Sequence, residues 1–203
     1  MSTNHTTMTK SAVGVIYQVQ GRDLLTIPGC FLEGIKGVYA WYVRLRDIEI
    51  LGTEYRLPAN DTAYGTQDRI FLYLGTVYAG TRRSVAMRFV GELLGPQISS
   101  DKNRSFDTDF TVSCVVEFLC RQGLNIYFDV LSNIHGCAEE LRLAKEKQPI
   151  LQKVGEKSVR LYPDIKRKIT AAMNLEEEIA AVGDAALRRL RDWVANAKRR
   201  SHP

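Results

Sequence analysis

The chain has 203 residues, 45% hydrophobic and 25% charged, which is enough for one good core and a small appendage but not for two full domains. A formal net charge of +5 favours a polyanionic partner without naming it. No apolar stretch approaches a membrane-spanning length and residues 1–10 are polar and threonine-rich, so a cytoplasmic protein, neither secreted nor inserted in a membrane, is expected.

Residues 1–11 read as a disordered tip. Val13, Val15, Tyr17 and Val19 then alternate with smaller or less apolar neighbours, the signature of a first strand over 12–19. Residues 22–36 carry Pro28, Gly29 and Gly34 and form a loop leading into a second strand, Gly37 to Val43, rich in Val, Tyr and Trp. The segment 44–69, with Gly52, Pro58 and Gly65, is too long for a hairpin connection; it is either an insertion with structure of its own or a mobile functional loop. Ile70 to Leu74 is a buried strand ended by Gly75, followed by a helix from about Ser84. On that helix Val85, Phe89 and Leu93 would face a core, leaving Arg88 on the other side.

Gly95-Pro96 stops this helix, and residues 99–109 form a polar loop carrying Lys102 and Arg104. Phe110 to Leu119 and Leu124 to Leu131, separated by Arg121-Gln122-Gly123, read as a hairpin, with a buried helix as the alternative for the first run. Gly136 to Gln148 is a short helix striped by Cys137, Ala138, Leu141 and Ala144 and ended by Pro149. Residues 153–203 form a basic helical extension. Asn174 and Glu177 have the form of a reciprocal N-cap, and Leu175, Ile179, Val182, Ala186, Leu190, Trp193 and Ala197 make one apolar seam. That seam either packs back on the core or pairs with a second copy. Cys30, Cys114, Cys120 and Cys137 lack the close spacings of zinc sites and are expected to be reduced and mostly buried.

Two phosphate signatures fail on inspection. The glycines of Gly75 to Arg82 have P-loop spacing, but no lysine follows the second one, and Pro163-Asp164 is not followed by an acid-x-lysine strand. His5, His135 and His202 are too scattered to assemble a metal cluster or a nucleophilic triad.

A third pattern holds together better. Gly37-Val38-Tyr39 lies on one strand, Tyr73-Leu74-Gly75 ends its neighbour, and Glu140 on a helix is followed nine residues later by Pro149, with Gln152 three beyond. These motifs, spanning 37–152, resemble those of the GIY-YIG nuclease superfamily, whose third motif pairs a helical glutamate with a proline and an asparagine at that spacing. The long insertion between the two tyrosine motifs is similar to the restriction-endonuclease branch. The chain departs from the pattern at Thr76, where a lysine is common, at Glu92, where a histidine or tyrosine is common, and at Gln152. The resemblance implies an α+β fold: a small central antiparallel sheet flanked by helices, here with an extra N-terminal strand, a nuclease core over 12–152 and the helical extension.

It also implies a metal-dependent endonuclease on DNA, of restriction or defence type, with an RNase or structure-specific repair nuclease, or a catalytically silent nucleic-acid-binding protein, as alternatives. Glu140 would hold a single Mg²⁺ or Mn²⁺, which takes oxygen ligands and keeps several waters. Tyr39 would be the general base and Tyr73 an organiser of the phosphate. The family arginine falls at Arg88, by its helical context, or at Arg83, by its shorter spacing from Gly75. Arg88 and Glu92 also fit an exposed ion pair on a solvated face. Gly75, Thr76, Arg82, Lys102 and Arg104 are the candidate nucleic-acid contacts. Cleaving both strands of a duplex with one site per chain takes two subunits or two visits, so a homodimer on DNA is expected.

Overall fold

The computed structural model describes residues 10–11, 14–19, 35–45, 48, 69–80, 84, 85, 87–89, 91, 92, 108–166 and 175–201. Arg82, Arg83, Lys102, Arg104, Cys30 and nearly all of the 44–69 insertion lie outside them.

An antiparallel five-stranded sheet forms the centre. Its strands are β1 (Lys10–Ser11), β2 (Gly14–Val19), β3 (Gly37–Arg44), β4 (Arg69–Val77) and β5 (Ile126–Ser132), in the spatial order β1-β2-β5-β3-β4. The helices are α1 (Thr108–Arg121), α2 (Cys137–Lys147) and α3 (Leu175–Ser201), and a small hairpin of β6 (Gln152–Val154) and β7 (Val159–Leu161) follows α2. Further helical backbone is found at Val85, Met87, Arg88, Phe89, Gly91 and Glu92. The molecule is thus α+β, as the sequence implies. Among the described residues no helix is long and apolar enough to cross a membrane.

β3 sits between β5 and β4 because GVYAWYVR can be buried on both faces; residues 37–43 are all buried. On one face Tyr39, Trp41, Val43 and Phe128 pack with Val85, Phe89, α1 and α3. On the other, Val38, Ala40, Tyr42, Phe71, Leu74 and Tyr127 pack against Leu143 and Ala144 of α2. Two irregularities maintain these faces. Trp41 pairs with Tyr73 but Tyr42 with Phe71, so Leu72 is an extra residue in β4; Val38 pairs with Ser132 but Tyr39 with Val130, so Leu131 is extra in β5.

β4 runs through Gly75 to Val77 rather than stopping at Gly75, because Gly75 is itself a ladder position opposite Tyr39. The expected hairpin over 110–131 is corrected: its first half is α1, the alternative reading, and only its second half is a strand. The β-branched content of TVSCVVEFLC favours a strand, but residues 111–116 are buried all round between sheet and α3, so tertiary packing overrides the local preference. Gly123, at φ +82°, caps α1, with its N–H donated to Cys120 O at 2.9 Å and that of Leu124 to Leu119 O at 3.1 Å.

The outer edge of β4 is covered by the segment after α2. Ile150 N–H donates to Phe71 O (2.9 Å) and Leu151 N–H to Leu72 O (3.0 Å). The Gln152 amide then completes the row, accepting from Leu74 N–H and donating to Leu74 O, both at 2.8 Å. The seam of α3 is spent within the same chain: Ile179, Val182, Ala186, Leu190 and Val194 belong to the core against α1, and Gly183 meets Phe118 so closely that a Cβ there would overlap the ring. A dimer would have to use some other surface.

Candidate functional site

The two tyrosine triplets lie side by side, Tyr39 opposite Gly75 and Trp41 opposite Tyr73. A Cβ on Gly75 would fall 2.5 Å from the Tyr39 ring, so glycine is required there for close approach, and no phosphate cradle is needed to explain it. Tyr39 stacks on Phe128 (5.2 Å between centroids) and tilts against Tyr73 (6.4 Å).

One reading of the sequence places Glu92 in an exposed ion pair with Arg88. The structure overturns this for Glu92, which is completely buried: one carboxylate oxygen accepts from Tyr39 Oη and the other from Trp41 Nε1, both at 2.5 Å. Two charge-assisted hydrogen bonds are what a buried carboxylate requires. The available signal was its spacing of seven from Val85 and three from Phe89, both already assigned to the core face.

Burial, the Glu92 charge and Tyr73 together hold the Tyr39 phenol well above its ordinary pKa, opposed by the guanidinium of Arg88, which is only half-buried. Tyr39, Tyr73, Arg88 and Glu92 therefore form one group, on the face of the sheet that also carries α1 and α3.

Glu140 is elsewhere. It stands in the first turn of α2, on the opposite face of the sheet. Thr76 ties that turn to the strands: its hydroxyl donates to Gly37 O (3.4 Å) and accepts from Gly136 N–H (3.2 Å). The neighbouring Tyr78 hydroxyl shares a hydrogen bond of 2.8 Å with the Cys137 thiol, which is exposed rather than buried; Cys114 is buried and Cys120 intermediate.

The two adjacent acids of α2 differ sharply. Glu139 is bound by Arg142 through two hydrogen bonds, at 2.7 and 2.8 Å, which hold its carboxyl down to about 2. Among the described residues no hydrogen bond or ion pair engages the Glu140 carboxylate, whose charge helps raise the Tyr78 phenol, and burial alone pushes the Glu140 carboxyl up to about 7.

No family model, curated protein or solved structure matches this chain.

Among the described residues no group of three or more His, Cys, Asp or Glu side chains converges as a metal site would.

Proposed function

We propose that the protein is a metal-dependent phosphodiesterase of the GIY-YIG type acting on DNA. The observation that carries this is Glu140: a half-buried carboxylate, unpaired among the described residues, pushed up to about 7. A structural acid is normally paired, as Glu139 is; leaving one unpaired costs stability and is typical of groups that bind or transfer something.

The order strand, strand, helix, strand, helix, with the first triplet on a central strand beside the second, supports the same reading. Gln152 stands where the family has its asparagine and holds both backbone polar groups of Leu74, the middle residue of the second triplet.

In this reading Glu140 holds the cation, which when bound supplies positive charge to the phosphate and the leaving oxygen. Arg88, or Arg83, is the candidate to stabilise charge developing on the phosphate. Tyr39 and Arg88 lie on the face of the sheet opposite Glu140, and Tyr39 is buried and donates to Glu92, so Tyr39 is not placed to activate a water beside a cation at Glu140; a base role would require substrate to reach both faces and Glu92 to take the Tyr39 proton.

A second reading, a nucleic-acid-binding protein that does not cleave, is favoured by one observation: Tyr39 is 1% exposed and its hydroxyl is held by Glu92. Incubating the chain with duplex DNA, single-stranded DNA and RNA, with Mg²⁺, with Mn²⁺ or with chelator, separates the two. Cation-dependent cleavage of DNA supports the first; binding of all three polymers without cleavage in either metal supports the second.

A further inference from the structure

The face of the sheet that carries α2 holds a second feature, used by none of the chemistry above. Three aromatic rings cross it from strand to strand: Tyr127 of β5 stacks on Tyr42 of β3 at 5.3 Å, and Tyr42 meets Phe71 of β4 at 5.7 Å. Each ring carries a cation. The Arg44 guanidinium lies 4.6 Å from the Tyr127 centroid, that of Arg69 lies 4.8 Å from Tyr42, and the Lys147 ammonium lies 5.7 Å from Phe71. The rings are buried beneath these groups, whereas the cations keep access to solvent, with 29% of the Arg69 side chain and 32% of that of Lys147 exposed.

Cations on rings are preorganised, since the flat support removes much of the rotamer freedom that a surface Arg or Lys loses on binding. Acids temper the row without cancelling it. Asp129 takes Arg69 at 2.9 Å and Glu146 takes Lys147 at 2.8 Å, leaving three positive charges against two negative. Lys147 ends the helix whose first turn holds Glu140; seven residues of α-helix separate them by about 10 Å.

We propose that Arg44, Arg69 and Lys147 form a phosphate-backbone binding row that leads a nucleic-acid strand along the sheet towards Glu140. The row rests on the reading that this chain acts on a nucleic acid, though not on its cleaving one. The spacing suits a repeating anion, because successive sites sit on adjacent strands about 5 Å apart. It carries no base-reading geometry, so it positions and does not specify.

The test is fluorescence anisotropy of a labelled DNA duplex in chelator, over a salt series, with the full chain. Arg44→Gln combined with Lys147→Gln is the variant of choice, because Arg69→Gln would strand the buried Asp129; thermal melts verify folding. Arg188→Gln with Arg191→Gln, on the exposed side of α3, is the control. The row variant should bind roughly tenfold more weakly at low salt, and its log affinity against log salt slope should fall by about 1.8, the share of two phosphates. The control should match wild type.

Unchanged affinity and slope in the row variant, or the loss falling on the control instead, would overturn the proposal. Cleavage by wild type with binding indifferent to the row sinks the row alone. Binding that depends on the row, with no cleavage in Mg²⁺ or Mn²⁺, sinks only the nuclease reading.

Discussion

Gly75 and Tyr39 face each other across β3 and β4 at a distance that no side chain on Gly75 could share: an added Cβ would lie 2.5 Å from the ring. The ring cannot retreat, being stacked on Phe128 and hydrogen-bonded to Glu92. Gly75→Ala is therefore expected to cost about 1–3 kcal/mol of stability, the usual range for overpacking a core. In a Tyr39→Ala background the same change should be nearly free. A double-mutant cycle by urea denaturation reads the difference; an equal cost in both backgrounds would mean the contact is not the cause.

Glu92 joins two donors from the central strand to the helical turn bearing Arg88. Glu92→Gln keeps the shape but presents an N–H₂ group to one of two donors, so about 1–3 kcal/mol should be lost, and Glu92→Ala should cost more. If Glu92 also accepts the Tyr39 proton, Glu92→Gln lowers turnover beyond what its stability loss explains, measured well below its melting temperature. Turnover equal to wild type under those conditions would leave Glu92 a structural anchor.

Stability should depend on pH through Glu140. The folded carboxyl is raised from 4.5 to about 7, so between those values the folded state holds a proton that the unfolded chain has released. The contribution is present below about 4.5 and is lost as pH rises to about 7, worth about 3 kcal/mol at most. Glu140→Gln should thus be neutral at about pH 4 and stabilising at about pH 8. Mg²⁺ should raise the melting temperature of wild type at the higher pH, little at the lower, and that of Glu140→Gln at neither.

The two arginines separate by kinetics. Arg88 lies close enough to lower the Tyr39 pKa, whereas Arg83 is outside the described residues. If Arg88, on the face of the sheet opposite Glu140, nevertheless meets the phosphate, Arg88→Ala should reduce turnover by about two to three orders of magnitude with substrate affinity little changed. Arg83→Ala should weaken binding and flatten its salt dependence by about one phosphate's share. The reverse pattern would make Arg83 the catalytic residue.

The strands and helices that the sequence made legible are those with one strong local signal: Gly37 to Val43, the Ile70 run, the helix ended before Pro149, and the seam of α3. α1 was ambiguous because burial on all sides erases periodicity, which is the cue that tells a helix from a strand. The β6–β7 hairpin falls where charged residues suggested only helix; its two strands are three residues each, too short to show alternation.

At the site, Glu140 was picked out by its spacing to Pro149 and Gln152, and Arg142 now supplies the reason its neighbour Glu139 is unavailable. Glu92 was missed because a charged residue beside an arginine reads as surface, and only the fold reveals two donors from a neighbouring strand converging on it. The opposite placement of Tyr39 and Glu140 about the sheet follows from strand parity and from the packing of α2, which the motif spacings do not encode.

The most direct test of the central claim compares Glu140→Gln with its neighbour Glu139→Gln in a DNA cleavage assay with Mg²⁺ or Mn²⁺, alongside binding in chelator. Glu140→Gln should abolish cleavage and leave binding nearly intact, since the amide keeps the shape and loses the charge that holds the cation, while Glu139→Gln should cleave nearly as wild type does. Full activity in Glu140→Gln would contradict the assignment of that carboxylate as the metal ligand.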